Sequence, residues 1–184
     1  MARVSATSSF RVLMLHGDAA DESLMRMLLD ASGWSAHTSV EFVCRSAPHE
    51  CAPKPELFAA FAERGLYDKE RYCTWGLHAG EQTAPGLIAR SVAHVQRLLI
   101  DENCDGVGGI CDGAIIAALA ALQTPSVKLF INACAGPLSM VRRYIDEIPQ
   151  LSSAKVTVPS IHLLSFSDDV FTFSELSEVP GVCE

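Results

Sequence analysis

Apolar runs ended by glycine or a turn alternate with amphipathic stretches along this 184-residue chain. That alternation predicts an α/β fold: three layers, with a mostly parallel sheet covered by helices on both faces. Composition points the same way, because 49% of the residues are hydrophobic, which suits strands buried on both sides. No linker, internal repeat or low-complexity segment interrupts the pattern. One domain over residues 11–184 therefore suffices, behind a flexible leader of residues 1–10 that is rich in Ser and Ala.

Each element follows from its own pattern. Arg11-Val-Leu-Met-Leu-His-Gly17 is a short apolar run stopped by glycine, a buried strand. Leu24, Met25, Leu28 and Leu29 recur at helical spacing, which predicts a helix from Asp18 that ends at Gly33. Ser39–Cys44 alternates and is β-rich, a second strand. Residues 46–55 are proline-rich and read as a loop, Glu56–Arg64 as a short helix, and Tyr67–Gly80 as irregular. Pro85–Asn103 is the clearest amphipathic helix, with Leu87, Ile88, Val92, Val95, Leu98 and Leu99 on one stripe. Gly106–Ile110 is a strand, Asp112–Leu122 an alanine-rich helix, and Val127–Ala133 another strand. Leu138–Ile148 reads as a modest helix and Ser160–Phe166 as the final strand.

Composition also excludes functions. The formal net charge is −8, and no basic cluster offsets it, so a nucleic-acid groove is not expected. No apolar run reaches the roughly 18 residues of a membrane span. Seven cysteines contain no Cys-x-x-Cys pair and no His-x-x-x-His pair accompanies them, so a zinc site is not expected, and no metal or cofactor is expected. Several lie in apolar runs, where a thiol acts as a small hydrophobe. A reducing compartment is expected, cytoplasm or an organelle's stroma or matrix, and not secretion.

The chemistry concentrates at Gly109-Ile-Cys-Asp-Gly113, where a strand is expected to run into a helix. A pentapeptide of small-x-nucleophile-x-small at such a junction is a nucleophile elbow, with Cys111 as the nucleophile. Gly109 and Gly113 let the backbone turn sharply. The thiol then stands at a helix N-terminus, which favours negative charge and acidifies it. Backbone N–H groups there can hold an oxyanion. Asp18 and Asp112 beside the elbow oppose this, repelling an oxyanion and raising the thiol pKa.

Several segments together resemble one family. They are Leu15-His16-Gly17 after the first strand, Ser46-Ala-Pro-His-Glu50 after the second, and Tyr72-Cys-Thr-Trp75 in the middle. Asp105-Gly-Val-Gly-Gly-Ile-Cys-Asp-Gly-Ala114 and Pro159-Ser-Ile-His162 followed by Asp168 complete the set. The chain resembles the family of serine hydrolases within the α/β-hydrolases, small esterase-like proteins, from about residue 11 to residue 184. The resemblance implies an α/β-hydrolase fold with Cys111 as nucleophile and Asp168 as the acid. It implies an oxyanion hole formed by the backbone N–H groups of Asp18 and Asp112. The family carries serine where this chain has Cys111, and glutamine where it has Asp112. Its histidine lies beyond the acid, and no histidine follows Asp168 here. The expected fold is therefore C-terminally truncated, without the usual last strand and helix.

Other histidines are candidates for the missing base. His16 and Gly17 should lie beside the elbow, where the family uses the histidine position structurally. His49 sits in the proline-rich loop as its anchor, and His162 is a packed strand residue. Trp75 either lines a substrate pocket or packs as an aromatic anchor. The expected function is hydrolysis of a small-molecule ester or thioester through Cys111. The alternative is a catalytically inactive hydrolase fold, a pseudoenzyme, serving as a binding module or accessory subunit whose protein partner covers an exposed sheet edge. A truncated form of a longer, histidine-bearing protein is a third reading.

Overall fold

A computed structural model describes residues 9–37, 39–54, 71–77, 86–136, 155–167 and 172–179, with the single residues 56, 59, 63 and 183. The strands are β1 (Phe10–Leu15), β2 (Val40–Arg45), β3 (His49–Glu50), β4 (Cys73–Thr74), β5 (Gly106–Ile110), β6 (Leu129–Ala133) and β7 (Ser160–Leu163). The helices are α1 (Glu22–Ala31), α2 (Leu87–Asp101), α3 (Asp112–Gln123) and α4 (Phe173–Leu176). Five strands form one sheet in the order β2-β1-β5-β6-β7, and every pairing in it is parallel. The expected three-layer, mostly parallel α/β arrangement is present.

The register carries the argument to the site. β5 lies between β1 and β6, with Leu15 opposite Gly109 and Ile110 opposite Ala133. The last residues of three neighbouring strands therefore surround the start of α3. Alternation then assigns the two faces. Val12 and Met14 join Met25, Leu29, Cys44 and Ile131 on the α1 face. Leu13, Leu15, Val107 and Phe130 join α2 and α3 on the other. Helix α3 is buried along almost its whole length, from Asp112 to Ala121. That is why its apolar residues go all the way round instead of forming a stripe.

Local differences from the sequence expectation have local causes. The first helix begins at Glu22, not Asp18, because Asp21 caps it: its carboxylate accepts the Leu24 N–H at 2.8 Å. Residues just before the cap are held elsewhere, with Ala20 and Cys73 exchanging two backbone hydrogen bonds of 3.2 and 2.8 Å. The irregular stretch around Tyr72 contains β4, which pairs antiparallel with β3 in a separate two-stranded sheet. The last strand stops at Leu163. A short helix at Phe173–Leu176 follows, opened by a capping box of Thr172 and Glu175. The expected helix over 138–148, and most of that over 56–64, lie outside the described residues.

Candidate active site

Cys111 sits where β5 meets α3. Its backbone adopts φ 52° and ψ −122°, a conformation an L-residue rarely takes. Three hydrogen bonds hold the turn. The Cys111 N–H donates to the Ala133 carbonyl at 3.1 Å, and the Cys111 carbonyl accepts from Ala114 N–H at 3.0 Å and Ile115 N–H at 3.4 Å. The flanking glycines are required by close approach. A Cβ on Gly109 would lie 2.4 Å from the Gly113 carbonyl carbon, and one on Gly113 would lie 2.4 Å from the His16 carbonyl oxygen. No side chain fits at either place. The loop after β1 lies directly against the turn, since a Cβ on Gly17 would stand 3.6 Å from the Cys111 Cβ.

The electrostatics differ from the acidified thiol expected of a helix N-terminus. The Cys111 thiol is pushed up to about 12, first by burial and then by the Asp112 carboxylate, with Asp18 adding to it. The Asp112 N–H pulls the other way and does not win. The thiol donates to Asp112 Oδ1 at 3.8 Å. Asp112 is 1% exposed and Asp18 5% exposed, so both carboxylates act at short range in a water-poor setting.

Asp18 is itself held from two sides. Lys54 Nζ donates to its Oδ2 at 2.5 Å, and the Thr74 hydroxyl donates to its Oδ1 at 2.6 Å. Burial pushes the Lys54 ammonium down, but the bond to Asp18 and the charges of Asp18 and Asp112 outweigh it, leaving it above its ordinary value. Sequence reading passed over Lys54. Nothing local marks a lysine between two prolines, and its partner lies 36 residues away.

His16 is 1% exposed and uses both ring nitrogens. Nδ1–H donates to the Gly17 carbonyl at 2.6 Å, and Nε2 accepts the Ala47 N–H at 2.9 Å. That fixes one neutral tautomer, and burial lowers its pKa from 6.5 despite the bond to Gly17, which raises it. The ring ties β1 to the loop after β2 and has no lone pair left for the thiol. Trp75 is completely buried, donates its Nε1–H to the His16 carbonyl at 2.7 Å, and lies 5.2 Å from the imidazole between ring centres. His49 Nε2–H donates to the Leu87 carbonyl at 3.3 Å, anchoring β3 to α2. His162 accepts from Asn132 at 3.2 Å and donates to Ser160 at 2.9 Å on β7. Asp168 lies outside the described residues.

A cavity of about 250 Å³ opens on the α1 side of the strand ends. Met14, Met25, Leu29, Trp34, Ile110 and Leu163 line it, so it reaches the residue next to Cys111. Among the described residues, no three His, Cys, Asp or Glu side chains gather as a metal ion would need. No helix there is long and apolar enough to cross a membrane.

The family described as Serine hydrolase (FSH1) matches residues 5–183. Among solved structures, the chain is 22% identical to the esterase PE8, covering 100% of this chain and 84% of that one at a TM-score of 0.54. It is 13% identical to a single-substitution variant of the Arabidopsis thaliana protein SOBER1, covering 96% and 87% at a TM-score of 0.57. Identities this low show the α/β-hydrolase fold alone. The chain spans 45% of the length of a longer uncharacterized protein from Bacillus cereus ATCC 10987, with 88% of this chain covered, 11% identity and a TM-score of 0.48. No curated protein matches the chain.

Proposed function

The chain belongs to the family described as Serine hydrolase (FSH1), and from that premise we propose that it hydrolyses a small ester or thioester through Cys111. The observation that carries this reading is the Cys111 backbone, held at φ 52° between two glycines that admit no side chain. Strain of this kind costs about 1–3 kcal/mol and persists where surrounding structure enforces it. Packing alone gives no reason to enforce it, whereas presenting a nucleophile above a helix N-terminus does. The Asp112 N–H, which favours negative charge on the neighbouring sulfur, supports it as one oxyanion donor, with the Asp18 N–H as the other. The apolar cavity beside Ile110 favours an apolar acyl group. Asp168 keeps the acid's place that the family pattern implies. Residues 11–184 form the single domain, residues 1–10 its leader, and a reducing compartment suits the seven free thiols.

The test is turnover of p-nitrophenyl esters and acyl thioesters of increasing chain length. Hydrolysis is expected above background, abolished in Cys111→Ala and largely kept in Cys111→Ser only if a separate base exists. Equal turnover by wild type and Cys111→Ala would remove Cys111 from the reaction.

A second reading has its own observation. Ile161 and Leu163 on β7 are 47% and 41% exposed, and Phe166 is 84% exposed where it stacks on Phe173 at 4.2 Å between ring centres. Such a surface suits a protein partner at the β7 edge of an inactive, accessory fold. A monomeric mass in sedimentation, unchanged by concentration, would count against a second copy as that partner.

A further inference from the structure

A thiol whose hydrogen bond goes to a buried carboxylate, and not to an imidazole, calls for a different proton path. We infer that the Asp112 side chain is the general base for Cys111, taking the S–H proton directly as the sulfur attacks the acyl carbon. This rests on the acyl-transfer reading above. It goes beyond the backbone role that the family pattern gives this position.

Geometry comes first. The Cys111 thiol donates to Asp112 Oδ1 at 3.8 Å, a long S–H···O contact of the kind that tightens once substrate is bound. The carboxylate is 1% exposed and is fixed on the first residue of α3, so little reorganisation is needed. The alternative base is occupied, since both His16 nitrogens bond to the backbone. The other charged groups that bear on the pair are Asp18 after β1, which raises the thiol, and Lys54 after β3, whose ammonium Asp112 and Asp18 hold up.

The charge balance then selects the route. A free thiolate would sit beside one carboxylate and near a second, which is part of why the thiol is pushed up to about 12. In the concerted step no such pair of anions forms. The C–S bond forms, the S–H proton moves to Asp112 Oδ1, and the carbonyl π pair moves to oxygen. One negative charge has simply passed from carboxylate to oxyanion. Collapse restores the C=O bond and breaks the bond to the leaving oxygen or sulfur, which takes the proton back from Asp112. Water next attacks the S-acyl carbon and gives a proton to Asp112. The C–S bond breaks, the sulfur regains a proton, and a carboxylic acid leaves.

The two routes respond oppositely to one substitution. Asp112→Asn keeps the shape and removes the charge. Its alkylation by iodoacetamide at Cys111 should quicken, by about tenfold for each unit the thiol pKa falls. Its acylation by a p-nitrophenyl ester should slow by about 100-fold or more. Asp112→Glu should recover part of the acylation, and matched circular dichroism and melting show that the variants fold. Wild-type acylation should stay level from about pH 7 to about pH 9, where a thiolate route climbs about tenfold per unit. Faster alkylation together with faster acylation in Asp112→Asn overturns the proposal while leaving Cys111 as nucleophile. Wild type that never acylates at Cys111 overturns both the proposal and the reading beneath it. A parallel loss of both rates in a folded Asp112→Asn also overturns it, marking Asp112 as structural.

Discussion

His16 and Cys111 are near neighbours across the β1 and β5 strand ends, yet the imidazole serves the scaffold and not the thiol. Its two nitrogens join the Gly17 carbonyl to the Ala47 amide. Removing it takes away the partner of the buried Ala47 amide and of the half-buried Gly17 carbonyl, and leaves a cavity beside Trp75. We predict that His16→Ala lowers unfolding stability by about 2–4 kcal/mol in a denaturant titration. The same variant should leave the alkylation rate of Cys111 unchanged, and a large fall in that rate would make His16 the base after all. At this scale the sequence was legible in part. The elbow could be read because glycine spacing is local, and the opposing effect of Asp18 and Asp112 could be anticipated from their positions. The dominance of burial over the helix N-terminus could not, because it depends on how much water the finished core excludes. Lys54 and Thr74 could not be placed against Asp18 for a related reason: ion pairs and hydrogen bonds between distant segments leave no periodic trace.

At the scale of elements, the junction of β5 and α3 depends on two strand ends and a helix meeting with no space between them. Gly109 contacts the first turn of α3, while Gly113, within that turn, contacts the carbonyls at the end of β1. Gly109→Ala would need backbone to move, since the atom it meets is the Gly113 carbonyl carbon at 2.4 Å. The expected cost is about 3 kcal/mol or more, read as a lowered melting temperature together with lost reactivity at Cys111. A stable variant with normal reactivity would mean that the turn is not fixed as described. Periodicity located the sheet strands and the two long helices because each is long and strongly patterned. It missed β3 and β4, which are two residues each and exist only because they pair. It also placed the start of α1 too early, since the Asp21 cap competes with a run of acidic residues that all resemble helix starts.

At the scale of the whole molecule, burial acts on histidines and thiols with consistent signs. His16, His49, His94 and His162 all lie below their ordinary value of 6.5, in each case chiefly through burial. Their unfolded forms bind protons first, so the stability they contribute is present above pH 6.5 and is lost as pH falls through the folded values. Cys44, Cys51, Cys73, Cys104, Cys111 and Cys183 all lie above their ordinary 9.0, again chiefly through burial. Their unfolded forms lose protons first, so that contribution is full below pH 9.0 and is lost as pH rises toward about 12. The melting temperature should therefore be highest between about pH 6.5 and pH 9 and fall on both sides, and a maximum outside that window would contradict these assignments. The parallel sheet and its two covered faces were legible from strand and helix alternation. What the fold does was legible only as far as a thiol at an elbow. The most direct test of that thiol is the intact mass of the protein after brief exposure to excess p-nitrophenyl ester. The account predicts one acyl group per chain, mapped by peptide sequencing to Cys111 and absent from Cys111→Ala. Acyl groups scattered over several cysteines, or none on Cys111, would contradict it.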